Sequence, residues 1–174
     1  DARCGVQPDI CTLGKIVGGG MPIGAIVAPR DIMGHLAPTG PVYQAGTLSG
    51  NPVSVAAGNA TLELLESSDA YQVLESLGER FASRIESAGI EGLQLQRQGS
   101  VLWPYFSSRP LPARADAIDE GIRDRFRGLH SQMLRSGIYL PPSAYEVWFL
   151  SIAHTEEDVD RLASALVSAV DGTS

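Results

Sequence analysis

The sequence predicts an α/β segment that gives way to an α+β segment. Near the start, two short β-prone runs, residues 9–13 and 24–28, flank a glycine-rich turn. Downstream, helix-length stretches with apolar residues at helical spacing alternate with short strand-like runs at 93–96, 100–106 and 145–153. A length of 174 residues suits one domain able to bury its own core, and 44% hydrophobic residues indicate a soluble globular chain. The formal charge of -7 argues against a nucleic-acid or anionic-membrane partner, which would favour a basic face. No run reaches the roughly 20 apolar residues of a membrane span, and no basic-then-apolar leader precedes the first strand. Cys4 and Cys11 belong to no Cys/His set at metal-ligand spacing, so no metal is expected. Both read as reduced thiols of a cytoplasmic protein, Cys11 buried in the first strand.

Taken in order, residues 9–13 read as a short buried strand and 24–28 as a second one. Pro29 then opens a short helix through Met33. Ala37, Pro38, Gly40 and Pro41 mark a loop. Asn51 is a good N-cap and Pro52 a good first helical residue, so residues 53–65 are expected to be helical despite Gly58. Asp69 begins a second helix through Ala88, with Leu74, Leu77, Phe81 and Ile85 on one stripe and Gly89 ending it. Residues 93–96 alternate as a half-buried strand should. In the strand at 100–106, Pro104 points to an edge or a bulge. Residues 119–136 read as a helix with Ile122, Phe126, Leu129 and Met133 inward, closed by Gly137; His130 on it, like His35, reads as a surface or packing residue. Thr155 and Asp158 form a capping box for a last helix whose buried stripe is Val159, Leu162, Ala163, Leu166 and Val170. His154 precedes that cap and reads as structural.

Three stretches carry chemistry. Lys15 is the single lysine against twelve arginines, and it sits between a β-prone run and Gly18-Gly19-Gly20. It is not a nucleotide P-loop lysine, because Asp9 and Ile16 replace the required Gly and Ser/Thr. Nor is this a dinucleotide fingerprint, which would need glycine where Ile23 stands. Two readings remain: an amine that binds a carbonyl compound as a Schiff base, with glycines admitting a bulky ligand, or a solvated charge beside a flexible turn. In the second stretch, Thr47 and Ser49 lie just before a helix N-terminus, where hydroxyls and free N–H groups either bind an anion or merely cap turns. The third is Glu146, one carboxylate in an otherwise apolar strand at 145–153. Such an acid is paired, exposed at an end, or neutralised by desolvation. A strand-end ion pair and a functional acid both fit.

The string Pro8-Asp9-Ile10-Cys11-Thr12-Leu13-Gly14-Lys15-Ile16-Val17-Gly18-Gly19-Gly20-Met21-Pro22-Ile23-Gly24 resembles the pyridoxal-phosphate lysine segment of class III aminotransferases. Gly40-Pro41-Val42-Tyr43-Gln44-Ala45-Gly46-Thr47-Leu48-Ser49-Gly50-Asn51-Pro52 resembles one branch, the glutamate-1-semialdehyde 2,1-aminomutases. Gly137-Ile138-Tyr139-Leu140-Pro141-Pro142-Ser143 and Ala153-His154-Thr155-Glu156-Glu157-Asp158 are similar to the same branch, in the same order. The resemblance implies the fold-type-I architecture of pyridoxal-phosphate-dependent transferases. Residues 1–66 would be the C-terminal part of the large cofactor-binding domain, and 67–174 an α+β C-terminal small domain. It further implies pyridoxal 5'-phosphate as cofactor, Lys15 as Schiff-base and proton-shuttling residue, and Thr47 as a ligand of the neighbouring subunit's cofactor phosphate. A homodimer with a shared active site follows from that, and Glu146 would lie near the substrate. In this family a long segment before the lysine carries the aspartate for the pyridine nitrogen, an aromatic stacked on the ring and part of the phosphate site. None is found here, so the resemblance is to the back half of an enzyme.

Three functions are then in play. The first is an aminomutase that makes 5-aminolevulinate for tetrapyrroles. The second is a class III aminotransferase with separate amino donor and acceptor, and the third an inactive fragment of such an enzyme. Ala144 replaces the branch's usual Gln and Trp148 its usual Gly. A bulky Trp148 beside Glu146 would remodel the substrate pocket.

Overall fold

The computed structural model describes residues 5–171, which divide into two compact units that part after Ser68. In the first unit, β1 (Cys11–Leu13) and β2 (Ala25–Val27) pair antiparallel, with Leu13 opposite Ala25 and Cys11 opposite Val27. A 3₁₀ turn, Lys15–Gly18, follows β1. Helix α1 (Arg30–Met33) comes directly after Pro29. Helix α2 (Pro52–Ser67) starts as its sequence dictates. Asn51 Oδ1 accepts the N–H groups of Val53 and Ser54 at 3.0 and 3.2 Å, satisfying two donors that the first turn would otherwise orphan.

The expected burial of residues 9–13 does not hold. All three residues of β1 are exposed, and so is the Cys11 thiol. Among the described residues β1 has only β2 as a neighbour, and this two-stranded ribbon leaves Leu13, Ile26 and Val27 in contact with solvent. Cys4 lies outside the described residues. In this unit the buried described residues are Gly18, Ser54 and Gly58 alone. Its parts are therefore joined by close backbone packing rather than by an apolar core.

The second unit has the core. Its elements are α3 (Ala70–Ala88), β3 (Leu93–Gln98), β4 (Val101–Phe106), α4 (Ile122–Arg135), β5 (Trp148–Phe149) and α5 (Glu156–Asp171). The strands form one antiparallel sheet in the order β3–β4–β5. Leu77, Phe81 and Ile85 of α3 meet Leu102 and Phe106 of β4, the Ile122–Phe126–Leu129–Met133 stripe of α4, and Val159, Ala163 and Leu166 of α5. Phe81, Leu102, Met133 and Leu166 are fully buried, each contributing about 1.5–3 kcal/mol of transfer free energy. Gly89 closes α3 with φ +61°, a conformation that glycine takes without a Cβ penalty. The capping box of α5 forms: Asp158 N–H donates to Thr155 Oγ1 at 3.2 Å, and Thr155 N–H donates to Asp158 Oδ2 at 2.8 Å. The Thr155 N–H, and then the Thr155 hydroxyl that donates to the same Oδ2 at 2.8 Å, hold the Asp158 carboxyl below the usual carboxylate range.

Several expectations change in detail. Asp69 occupies the N-cap of α3 without a side-chain bond. Helix α4 begins at Ile122, because Asp119 is engaged ahead of it: Ser107 Oγ donates to Asp119 Oδ2 at 2.6 Å, and Gly121 N–H donates to Oδ1 at 3.0 Å. Pro104 sits in the middle strand of the sheet, in regular register opposite Leu95, and no bulge is needed. Strand β5 pairs only with Val101 and Leu102, so at Pro104 the strand has a single neighbour and a missing N–H costs no ladder bond on the other side. The run at 145–153 yields only the two residues of β5.

Helices α3 and α5 are also tied by charge. Arg80 Nε and Nη2 each reach Asp160 at 2.8 Å, and Arg84 Nε and Nη2 reach the same carboxylate at 3.1 and 2.8 Å. The Arg80 hydrogen bonds, then those of Arg84, lower the Asp160 carboxyl to about 2. A carboxyl lowered on folding favours the fold above its ordinary value of about 3.9, and that favour is lost as pH falls toward the lowered value. Stability measured by denaturant titration is therefore expected to drop between about pH 4 and pH 2. Asp160→Asn is expected to flatten that drop and to lower stability at pH 7. A second pair of substitutions separates two helical glycines. A Cβ at Gly78 would strike the Gly99 carbonyl oxygen, whereas one at Gly128 meets open space. Urea unfolding should show Gly78→Ala less stable by about 1–3 kcal/mol. Gly128→Ala should be more stable by about 0.5–1 kcal/mol.

Candidate active site

The first unit's chemistry is organised on α2. Just ahead of that helix, residues 47–50 make a turn in which Ser49 N–H donates to the Gly46 carbonyl at 2.9 Å and Asn51 N–H donates to that of Leu48 at 3.1 Å. Gly50 has φ +69°, which lets the chain turn into the helix. Gln44 Nε2 donates to Ser49 Oγ at 3.3 Å, so Ser49 is engaged within the loop. Thr47 is exposed, and its hydroxyl has no hydrogen-bond partner among the described residues.

Lys15 is also exposed, and it has φ +57°, the only positive φ of a non-glycine residue among the described residues. A side chain in that region costs roughly 1–2 kcal/mol, so the surrounding turn must over-determine it. The turn is seated on α2. A Cβ on Gly58 would lie 2.7 Å from the Val17 carbonyl oxygen. One on Gly19 would strike Thr61 Oγ1 and come within 3.1 Å of the Ala57 carbonyl. Thr61 Oγ1 itself donates to the Ala57 carbonyl at 2.8 Å, which fixes the surface that Gly19 rests on. The glycines thus divide the work that the sequence assigns to ligand access alone. Gly18 is crowded by Ile23 and Gly19 by α2, while Gly14 and Gly20 border open space on either side of the lysine turn.

Lys15 and Thr47 are therefore both built on one helix. This seat escapes a motif reading; its trace in the sequence is a glycine in mid-helix, Gly58, at a cost of about 1 kcal/mol relative to alanine.

Glu146 belongs to the second unit and is not an acid in an apolar strand. It ends the turn at 143–146, its N–H donating to the Ser143 carbonyl at 3.2 Å, and its side chain is exposed. Its carboxylate has no ion pair or side-chain hydrogen bond among the described residues. Ser143 Oγ instead accepts the Tyr145 N–H at 3.2 Å. Trp148 does not stand beside Glu146 in a pocket. It is 4% exposed and meets Phe81 edge-on at a ring-centroid distance of 6.3 Å. The β-strand alternation that turns Trp148 inward leaves Phe149 exposed. Ala144 is buried, and its carbonyl accepts Trp103 Nε1–H at 3.0 Å. His154 is structural, its Nδ1 accepting the Ser151 N–H at 2.9 Å. His130 packs against Phe126 and Tyr139 with Nε2 on the Leu140 carbonyl, and His35 is exposed. Among the described residues no group of three or more His, Cys, Asp or Glu could hold a metal ion, and no helix is long and apolar enough to cross a membrane.

This α/β arrangement is that of the fold-type-I transaminases: 98% of the chain superposes on 40% of an omega-transaminase from Sphaerobacter thermophilus, with TM-score 0.85 and 26% identity. The Aminotransferase class-III family profile matches residues 1–97, more than half of the chain, which therefore belongs to the class III aminotransferase family. Among curated relatives, the chain is 44% identical over 172 residues to a glutamate-1-semialdehyde 2,1-aminomutase of Thermomicrobium roseum, covering 97% of this chain and 40% of the relative. It is 47% identical over 172 residues to one of Sorangium cellulosum, covering 97% and 39%. The chain thus spans about two fifths of the length of the curated relatives it matches.

Chemical denaturation separates the two residues of the third stretch. Trp148→Gly, which installs the residue usual in the resembled branch, is expected to cost about 3–5 kcal/mol through the cavity left beside Phe81. Glu146→Gln should stay within about 0.5 kcal/mol of the parent.

Proposed function

We propose that this chain carries the covalent-attachment lysine of a pyridoxal-phosphate-dependent aminomutase of the glutamate-1-semialdehyde 2,1-aminomutase type, which makes 5-aminolevulinate for tetrapyrroles. The observation that carries the reading is the exposed Lys15 amine, held at φ +57° on a turn seated on α2 with open space at Gly14 and Gly20. An exposed amine on a strained turn and a free hydroxyl ahead of a helix N-terminus are held by one rigid element. The residues present fit the cofactor. Gly14 and Gly20 leave room beside the lysine that a Cβ would fill, and the Thr47 hydroxyl is free to donate to a phosphate.

When bound, pyridoxal 5'-phosphate supplies an aldehyde for attachment and a conjugated ring that takes up electron density from a breaking C–H bond. Lys15 Nζ would be the attachment atom, and as a free amine it would take a proton from one substrate carbon and deliver it at another, acting as base and then acid. Thr47 Oγ1 would donate to the cofactor phosphate of the neighbouring subunit in a homodimer, for which the apolar side chains left exposed on the first unit leave a surface. Glu146, free of other partners, orients the substrate's amino group. The second unit serves as the family's C-terminal small domain. The acidic net charge and the free thiol of Cys11 suit a cytoplasmic setting.

Transamination between separate donor and acceptor is the second reading, favoured by the TM-score of 0.85 against an omega-transaminase. Turnover of glutamate 1-semialdehyde without any added amino donor supports the aminomutase; dependence on a donor supports the transaminase.

Borohydride reduction in the presence of pyridoxal 5'-phosphate, read by peptide mass, is expected to yield an adduct at Lys15 that Lys15→Ala abolishes. Absence of that adduct from the full-length protein would overturn the reading. Thr47→Ala is expected to weaken cofactor binding about tenfold, the value of one charge-assisted hydrogen bond of about 1.5 kcal/mol.

A further inference from the structure

Resting on the functional reading above, in which Glu146 orients the substrate's amino group, we infer that Trp103 is a positioning residue for that carboxylate. The Glu146 side chain makes no ion pair or hydrogen bond among the described residues, so only its backbone ties it down. That backbone is the middle of a short span, residues 144–148, and β4 holds both ends of it. At one end Trp103 Nε1–H donates to the Ala144 carbonyl at 3.0 Å. At the other, Trp148 lies opposite Leu102 in the β4–β5 ladder, with its ring buried against Phe81. Leu102 and Trp103 are neighbours on β4 and therefore point to opposite faces of the sheet. The indole is itself braced, its ring centroid 5.1 Å from that of the fully buried Tyr105. Between the two attachments Tyr145, Glu146 and Val147 are exposed, and the N–H groups of Tyr145 and Glu146 bond back to Ser143. The Trp148 end is fixed by the ladder and by burial of a large ring. Ala144 offers the packing only a methyl group, so at its end the indole bond is the directional hold. Removing that one N–H frees an end of the span, and the carboxylate at its centre loses its fixed place. Small displacements of an orienting group cost rate steeply, because the bound geometry supplies much of the acceleration.

The test is a double-mutant cycle on the full-length protein, read by turnover of glutamate 1-semialdehyde and by borohydride trapping of pyridoxal 5'-phosphate at Lys15. Trp103→Phe keeps an aromatic ring and removes the N–H donor. It is expected to lower kcat/KM about fivefold while Lys15 trapping stays within about twofold of the parent. Glu146→Gln is expected to lower kcat/KM about tenfold. Added to Glu146→Gln, Trp103→Phe is expected to cost less than about twofold more, because the group it positions is already gone. Amide hydrogen exchange should quicken at Tyr145 and Glu146 in Trp103→Phe and stay unchanged in α3. If Trp103→Phe does not fold, 3-benzothienylalanine at position 103, which keeps the shape of the indole and lacks its N–H, takes its place in the cycle. Equal losses from the Trp103 change in both backgrounds overturn the inference, as does parent-like kcat/KM in a folded variant. With Glu146→Gln impaired, those outcomes remove only the role of Trp103. Parent-like turnover by Glu146→Gln, or a parent that does not turn over glutamate 1-semialdehyde, overturns the functional reading and the inference with it.

Discussion

Everything chemical in the first unit depends on how closely the lysine turn lies against α2. That contact is made of backbone, with the Val17 carbonyl over Gly58 and the backbone of Gly19 over Ala57 and Thr61. Such packing has little adjustable volume, since apart from the Thr61 hydroxyl, itself bonded to the Ala57 carbonyl, the facing atoms are backbone. It accounts for a lysine held at φ +57°, a conformation that a free turn would abandon. It also gives a mid-helix glycine a reason that offsets its propensity cost.

The two units solve different problems. The second buries aromatic and aliphatic side chains from three helices and a three-stranded sheet, and its charged groups serve that architecture. Arg80 and Arg84 converge on Asp160 to tie α3 to α5, and Asp119 anchors the entry to α4 through Ser107 and Gly121. The first unit instead keeps its strands and much of α2 exposed, the Lys15 amine and the Thr47 hydroxyl among its groups without a partner in the described residues. A packed core has no place for unsatisfied polar groups, so such groups stay at the surface.

Legibility followed locality. The starts of α2 and α5 could be read from Asn51-Pro52 and from Thr155 to Asp158, because capping bonds span three residues or fewer. The inward stripes of α4 and α5, and that of α3 from Leu77 to Ile85 though not Leu74, could be read because a 3.6-residue period maps directly onto one face. Burial of strands could not. Cys11 is in a β-prone run and is exposed, since burial depends on what covers a ribbon rather than on the ribbon's residues. Glu146 and Trp148 show the same limit. The apolar run at 145–153 condenses to two strand residues, so the acid falls in an exposed turn and the tryptophan turns into the core.

The sequence by itself determined the order and type of the elements, the caps of α2 and α5, the candidate lysine and hydroxyl, and the family, since all of these reside in short strings of neighbouring residues. Only the tertiary structure decided that the lysine turn lies backbone to backbone against α2, with the Val17 carbonyl over Gly58. It also decided that Trp148 packs into the core against Phe81. These depend on approaches between residues some forty or more positions apart, or on which strand face meets which helix. Such distances are set by the packing of the whole unit, and no local pattern encodes them.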